Sequence, residues 1–270
     1  GEILYRRNIG QEDEEVVDIA SMDSNSHDIR SIRGGEIAYV FQEPMTSFSP
    51  VHTIGNQMIE TIRLHQDIDK KGAEEIAIKA LTAVGIPLPE RRINDYSFQL
   101  SGGLRQRAMI AMTLVSNPAI LIADEPTTAL DVTNQAQLLE LMSELQEDNG
   151  MAIVLITHDL GVIAEMADHV SVMYLGEVVE SAPVDDIFHD PQHPYTQALL
   201  KSIPRIKSDS NERLASISGT VPHPYDRPKG CAFGPRCESF MPGKCDSAIP
   251  VLKDTSPTHQ VSCFLYGEGE

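Results

Sequence analysis

Two short apolar runs separated by a helix pattern constrain the fold of this chain more than any other feature. The runs "AILIAD" (119–124) and "AIVLITH" (152–158) are apolar up to a polar end and rich in β-branched residues, so they predict buried strands. The stretch between them, "QAQLLELMSELQEDNG" (135–150), has the period of a helix and ends on a glycine. Strand, helix and strand in this order predict an α/β fold built on a parallel sheet.

The rest of the chain divides into regions of different pattern. Residues 1–44 predict strands around an acidic loop, and residues 45–117 predict mainly helices because apolar residues recur at three- and four-residue spacing. Residues 118–204 hold the strand–helix–strand pattern, whereas residues 205–270 are rich in proline and cysteine and lose periodicity. We therefore expect an α/β core with an inserted helical region and a separate C-terminal extension.

Composition argues against two classes of function. With 40 acidic against 21 basic residues the net charge is −19, so the chain lacks the overall basic balance of a general nucleic-acid binder. No apolar run approaches the roughly 18 residues that a membrane-spanning helix needs. No basic and apolar leader marks the chain for secretion either, so the expected location is the cytoplasm.

The stretch "LSGGLRQR" (100–107) is typical of an anion site at the start of a helix. Ser101 would cap the helix, and Gly102 and Gly103 would let a phosphate approach unpaired backbone N–H groups. An ordinary capped surface helix explains the same residues about equally well.

Polar side chains also end the two apolar strands. Asp124 and Glu125 follow one strand, and His158 follows the other, at the edge of a parallel sheet where α/β folds bind ligands. Asp124 is a candidate to hold Mg²⁺ through water, Glu125 to polarise an attacking water and His158 to contact a phosphate. Taken one by one, two solvated carboxylates and an ordinary strand-end histidine are the alternatives.

Together these stretches resemble the nucleotide-binding subunit of ATP-binding-cassette (ABC) transporters. "LSGGLRQR" is similar to the family's signature motif, "ILIADEP" (120–126) to its Walker B strand and "VFQEP" (40–44) to its Q-loop. "ALD" (129–131) resembles the D-loop and "THD" (157–159) the switch histidine, and all five stand in the family's order. The resemblance implies a P-loop NTPase-like core in which two subunits sandwich two ATP molecules.

The resemblance also implies roles for single residues. Glu125 would orient or deprotonate the water, His158 would stabilise the developing charge, and Gln42 would sense Mg²⁺ or the water and couple the site to the membrane subunits. The signature serine and glycines would face the γ-phosphate of ATP bound to the opposite subunit. The implied nucleotide-binding set is Asp124, Ser101, Gly102, Gly103, Gln106 and Asp131.

Two later stretches narrow the resemblance. "HDPQHPYTQALLKSIP" (189–204) and "SGTVPHPYDRPKGCAFGPRC" (218–237) look like the C-terminal extension of ATPases that serve dipeptide and oligopeptide importers, a subfamily that includes nickel importers. The expected protein hydrolyses ATP at the cytoplasmic face of the cell membrane and works with a second ATPase subunit, identical or different, with permease subunits and indirectly with a solute-binding protein. Alternatives are import of nickel or another solute, a soluble ABC protein of DNA repair or translation, and a non-catalytic partner subunit.

All four cysteines lie in the C-terminal region, at Cys231, Cys237, Cys245 and Cys263. Their spacing, C-x5-C-x7-C-x17-C, lacks the close pairs of zinc ribbons, and disulfides are not expected in a reducing compartment. Four thiols in one segment suit zinc or an iron–sulfur cluster, with buried free thiols as the alternative. The resemblance favours a structural [4Fe–4S] cluster.

The sequence departs from the family at one important point. A P-loop has the form G-x-x-x-x-G-K-[ST], and no such string occurs in these residues. In the family it precedes the strand with which this chain opens, so we expect a truncated N-terminus. A naturally degenerate subunit is the alternative. A smaller departure is Leu104 in the signature stretch, close in size to the methionine usual in the peptide subfamily.

Overall fold

The computed structural model describes residues 1–8, 10, 14–42, 47–128, 130–203, 217–223 and 225–266. The chain separates into two compact units, Gly1–Leu160 and Gly161–Glu270. The four regions drawn from the sequence divide the chain more finely and stay a prediction.

The first unit is built on a three-stranded parallel sheet in the order β3 (Ile37–Val40), β4 (Ile120–Asp124), β5 (Ala152–Ile156). Helix α6 (Val132–Asn149) connects β4 to β5 and ends at Gly150, which has the left-handed φ of 63° that favours glycine. The predicted parallel strand–helix–strand arrangement is therefore confirmed.

The two faces of this sheet differ in exposure. Ala38, Val40, Leu121 and Ala123 alternate along β3 and β4 and are buried. On the opposite face, Tyr39, Val154 and Ile156 are 38%, 49% and 47% exposed. Because Tyr39, Ile122 and Val154 are paired in register, the exposed side chains form one apolar strip across the sheet, named here the open face.

Four helices form most of the predicted helical region: α2 (Ile54–His65), α3 (Lys70–Ala83), α4 (Pro89–Arg92) and α5 (Gly102–Leu114). Apolar residues three to four positions apart face inward, as in α2, where Ile54, Met58 and Ile62 are each at most 1% exposed. Helix α3 packs on both α2 and α5.

Shorter elements precede the sheet in sequence. Strands β1 (Leu4–Arg7) and β2 (Glu15–Asp18) form an antiparallel hairpin. Helix α1 (His27–Gly35) begins where the Ser26 side chain accepts a hydrogen bond from the backbone N–H of Ile29, and it packs next to β3. The acidic stretch predicted as a loop, residues 11–30, therefore contains strand β2 and the start of helix α1.

The second unit contains an antiparallel sheet in the order β6 (His169–Tyr174), β7 (Glu177–Pro183), β9 (His259–Val261), β8 (Lys253–Ser256). Leu175 and Gly176, both with positive φ, join β6 to β7 in a tight two-residue turn. The helices that follow β5 in sequence are α7 (Leu160–Met166), α8 (Val184–His189) and α9 (Pro194–Lys201).

Candidate functional site

Glu125 stands at a strained position directly after β4. Its φ of 43° lies in the left-handed region, which is uncommon for a residue other than glycine. Its backbone N–H donates to the carbonyl of Ile156 at 2.8 Å, so the turn is tied to the end of β5. The sequence thus places a carboxylate at the carboxyl edge of the parallel sheet, as predicted.

The Glu125 carboxylate is held by three side chains that come from different parts of the unit. Thr128 Oγ1 and Gln42 Nε2 donate to Oε2 at 2.8 and 2.9 Å, and His158 Nδ1 lies 2.9 Å from Oε1. The Thr128 hydrogen bond, and after it the one from His158, lowers the pKa of the Glu125 carboxyl. The group is therefore an ionised acceptor at neutral pH. We name Gln42, Glu125, Thr128 and His158 the carboxylate cluster.

Asp124 has a different partner. The phenol of Tyr39 on β3 donates to Asp124 Oδ2 at 2.7 Å, and this hydrogen bond raises the pKa of Tyr39. The Oδ2 atom of this carboxylate is thereby engaged. Carboxylate oxygens are ligands that Mg²⁺ accepts directly or through water, so Asp124 fits the ion expected for it.

The signature stretch begins helix α5. The Ser101 side chain accepts a hydrogen bond from the backbone N–H of Leu104 at 3.4 Å, so Ser101 caps the helix as predicted. A Cβ added at Gly102 would meet no atom within 4 Å, and at Gly103 it would make an ordinary 3.4 Å contact with Asn134 Oδ1. Among the described residues, packing therefore does not require a glycine at either position.

Ser101, Gly102 and Gly103 line a groove of about 540 Å³, named here the signature groove. Asp131 lies on its other wall and caps α6 by accepting from the backbone N–H of Asn134 at 3.0 Å, which lowers the pKa of Asp131. The full lining is Gly85, Ser101, Gly102, Gly103, Leu104, Arg107, Leu130, Asp131, Asn134 and Gln137.

Gln106 lies apart from the groove lining. It is only 3% exposed, and its Nε2 donates to the carbonyl of Pro126 at 2.8 Å. This contact ties α5 to the turn after Glu125. The role of Gln106 in nucleotide binding stays a prediction, because the described contact of its amide is to the protein backbone.

The predicted residues thus fall into two groups rather than one. Gln42, Glu125 and His158 are brought together next to Asp124, whereas Ser101, Gly102, Gly103 and Asp131 line the signature groove. No groove-lining residue belongs to the carboxylate cluster. Of the predicted loops, Glu43 and Pro44 of the Q-loop and Ala129 of the D-loop lie outside the described residues.

Sequence reasoning missed one partner of each carboxylate and several residues of the groove lining, among them Arg107 and Gln137. Thr128 follows Glu125 by three positions, a spacing typical of a turn, so a short-range signal existed. The hydrogen bond from Tyr39 to Asp124 depends on the register of two strands, so it has no local sequence signal. The hydrogen bond from Arg107 to Gln137 joins residues 30 positions apart, so it has none either.

The four cysteines lie in the second unit as free thiols. Burial, and after it the other three thiols, raises the pKa of Cys263 to about 11. Within the described ranges, no three side chains of His, Cys, Asp or Glu are grouped so that they could hold a metal ion. The donor type suits zinc or iron, but this arrangement does not fit either, so the predicted centre lacks support from the structure.

Comparison with known proteins gives two family matches. Residues 3–128 match the ABC transporter family, and residues 179–245 match the family described as the oligopeptide/dipeptide transporter C-terminal region. The first match includes three residues of the carboxylate cluster, Gln42, Glu125 and Thr128, and the part of the signature groove that precedes residue 128. The second match includes three of the four cysteines.

Individual relatives extend the match over nearly the whole chain. A putative peptide import ATP-binding protein of Brucella melitensis is 48% identical over 99% of this chain and 79% of its own length. The dipeptide transport ATP-binding protein DppD of Escherichia coli is 50% identical over 87% of this chain and 71% of its own length.

A solved structure is similar in fold. It is the ATP-binding cassette MJ0796 in a dimeric post-hydrolysis state bound to ADP and Pi, with a TM-score of 0.56 and 27% identity. The similarity covers 64% of this chain and 74% of that one.

Proposed function

This chain belongs to the ABC transporter family, and we propose that it is the ATP-hydrolysing subunit of an importer that takes up dipeptides and oligopeptides. The observation that carries the ATPase part is the Glu125 carboxylate, held by Gln42, Thr128 and His158 directly after Asp124. The peptide part is supported by the match of residues 179–245 and by relatives named for peptide import.

The carboxylate cluster supports in-line attack of water on a γ-phosphate. Glu125 is ionised and fixed by three donors, so it can accept a hydrogen bond from a water and orient it. His158, exposed on its other side, would stabilise charge that develops on the phosphate. Asp124 would hold Mg²⁺, which when bound neutralises phosphate charge. Gln42 would couple this cluster to the membrane subunits.

The signature groove supports a dimer. Its backbone N–H groups at the start of a 13-residue helix and its open glycines suit a phosphate, yet Glu125 is not part of its lining. Two copies, or this chain and a related one, would each offer the groove to nucleotide on the other subunit. The dimeric, ADP- and Pi-bound state of the solved relative supports this arrangement.

The membrane partners follow from the same family. Permease subunits would receive the helical region 45–117, and a solute-binding protein would deliver the peptide to them. None of the helices in the described part of the chain is long and apolar enough to span a membrane. As the ATPase of such an importer, the chain would act as a peripheral subunit at the cytoplasmic face of the inner membrane.

Two further features of the proposed protein, a P-loop and a metal centre, are inferred from the sequence. One is that tight ATP binding next to Glu125 requires a P-loop, a string that these residues do not contain. The other is a metal centre on the four cysteines, which rests on their confinement to one segment of the sequence and not on the arrangement of the thiols in the structure. Anaerobic protein with about four irons per chain would support a cluster. Zinc without iron would support the alternative, and four freely alkylated thiols would exclude both.

The central test uses the assembled importer, meaning the product of the whole gene with its partner subunits in lipid vesicles. Glu125→Gln keeps the shape of the side chain and removes its charge, so it should retain ATP binding but lose most turnover and trap a closed dimer. Glu140→Gln, on the exposed side of α6, is the control and should behave as wild type. Near-normal hydrolysis by Glu125→Gln would assign water activation to another residue.

Substrate class is tested in the same vesicles. ATP-driven uptake of a labelled dipeptide, with nickel as the competing solute, should be present in the wild type and absent from Glu125→Gln. Uptake of nickel alone would support the alternative importer.

A further inference from the structure

Arg107 lies where three helices of the first unit meet. Its Nη1 donates to the carbonyl of Val84 at 2.9 Å, and its Nη2 donates to Gln137 Oε1 at 3.1 Å. Arg107 belongs to α5, Val84 caps the end of α3, and Gln137 lies on α6. One rigid guanidinium therefore joins α5 to both other helices.

The local chemistry favours arginine at this place. The end of a helix carries unpaired carbonyls and the negative end of the dipole, so a cation next to Val84 is favourable. Gly85, with φ of 72°, turns the chain at this carbonyl, and a Cβ there would lie 3.4 Å from Arg107 Nη1. A planar fork can bind two separate oxygens at fixed geometry, which a lysine ammonium does less well.

The same guanidinium borders the signature groove. One wall of the groove is the start of α5, with Ser101 and Gly103, and the other is the start of α6, with Asp131 and Asn134. The spacing between these walls depends on how α5 and α6 are joined. The Arg107–Gln137 hydrogen bond joins those two helices directly.

From these contacts we infer that Arg107 is a positioning residue that fixes the spacing between the signature serine and glycines and the Asp131 wall. The inference rests on the proposed ATPase function, because that function supplies the nucleotide that the signature groove would bind. Arg107 acts through α5 and α6 and need not touch the reacting atoms. Its loss should impair the closed, reacting state more than the initial binding of ATP.

The test compares steady-state ATP hydrolysis by assembled importers. Arg107→Gln, too short to bind both oxygens, should lower kcat by about ten- to a hundredfold while KM for ATP stays within about twofold. Arg107→Lys should fall between it and the wild type. The exchanged pair Arg107→Gln with Gln137→Arg should regain part of the lost kcat, which a general loss of stability would not predict.

Controls make each outcome decisive. Glu140→Gln, on the same exposed side of α6 as Gln137, should leave kcat unchanged. If Arg107→Gln does not fold, Gln137→Ala removes the same hydrogen bond from an exposed position and should lower kcat in the same direction. Wild-type kcat in a folded Arg107→Gln variant, or in Gln137→Ala where that one is needed, overturns the inference.

The inference and the proposed function fail in different ways. If Glu125→Gln abolishes turnover but the Arg107 and Gln137 variants do not change it, only the positioning role is wrong. If the wild-type importer hydrolyses no ATP, the proposed function is wrong and the positioning role falls with it.

Discussion

A single hydroxyl group has the largest effect on how acidic Glu125 is. The Thr128 hydrogen bond is the main cause of its lowered pKa, so Thr128→Val should raise the pKa of Glu125 toward its ordinary value. Turnover that requires the ionised carboxylate would then be lost at a higher pH as the solution is acidified. The pH profile of kcat for the assembled importer measures this shift of the acidic limb.

Thr128→Ser is the matched control, because it keeps a hydroxyl at the same place. It should leave the acidic limb near that of the wild type. An identical profile for Thr128→Val would mean that Glu125 ionisation does not limit turnover.

At the scale of a helix, Gly102 at the start of α5 is expected to matter for ATP turnover but not for stability. Because an added Cβ meets nothing within 4 Å, Gly102→Ala should change the free energy of unfolding by less than about 0.5 kcal/mol. The methyl group would nevertheless obstruct a phosphate at the start of α5, so turnover should fall by about tenfold or more. Denaturant unfolding and ATP hydrolysis measure the two effects.

Gly55→Ala is the contrasting variant. A Cβ there would lie 2.4 Å from Ile93 Cγ1 and 2.7 Å from the Ile93 carbonyl oxygen, and the carbonyl belongs to the backbone. It should therefore lower the free energy of unfolding by about 1–3 kcal/mol. Equal stability loss in the two variants would mean that Gly102 also serves packing.

Helix α9 carries a buried histidine at its start. His193 accepts a hydrogen bond from the backbone N–H of Tyr195, and burial lowers its pKa from 6.5 to about 4, with Glu180 acting in the opposite direction. The unfolded chain binds the proton more readily, so stability should fall as pH drops from 6.5 to about 4. The loss approaches about 3 kcal/mol at most.

Unfolding by urea at several pH values measures this dependence. His193→Asn keeps a capping acceptor without a titrating ring, so it should remove most of the dependence between the two pKa values. The exposed His189→Asn is the control and should retain it. An unchanged slope in His193→Asn would place the titrating group elsewhere.

The elements differ in how well their sequence predicts them. Helix α6 and its flanking strands were predicted because long periodic or apolar runs leave few alternatives. Helix α1 was missed because only Ile29 and Ile32 are buried among its nine residues, too few to establish a period. Strand β8 was missed because its four residues, "KDTS", are all exposed and polar.

In the candidate site too, contacts that follow from a strand pattern could be predicted, and contacts that depend on helix packing could not. Glu125 and His158 lie 2.9 Å apart because each follows the end of a strand, and neighbouring parallel strands end at one edge of the sheet, so a sequence pattern can indicate their proximity. Their roles stay predictions. The bridge from Arg107 to Gln137 was not predicted, because it depends on how two helices pack, which the sequence pattern does not specify.

For the molecule as a whole, the absence of a P-loop from these residues predicts weak ATP binding. Residues 1–270 alone should not bind ATP with micromolar affinity, because the carboxylate cluster lacks a P-loop to cradle the phosphates. Joining a segment that contains the P-loop pattern G-x-x-x-x-G-K-[ST] ahead of Gly1 should increase the affinity. Calorimetry measures both proteins, and micromolar binding by residues 1–270 would contradict the prediction.

The open face of the parallel sheet has a practical consequence for handling this chain. Tyr39, Val154 and Ile156 present an apolar strip that water wets poorly. Such a surface takes up hydrophobic dyes such as ANS and promotes self-association as concentration rises. Purified on its own, residues 1–270 should therefore fluoresce with ANS and sediment as a mixture of species. Substituting Val154 and Ile156 with threonine, which retains β propensity, should reduce both signals.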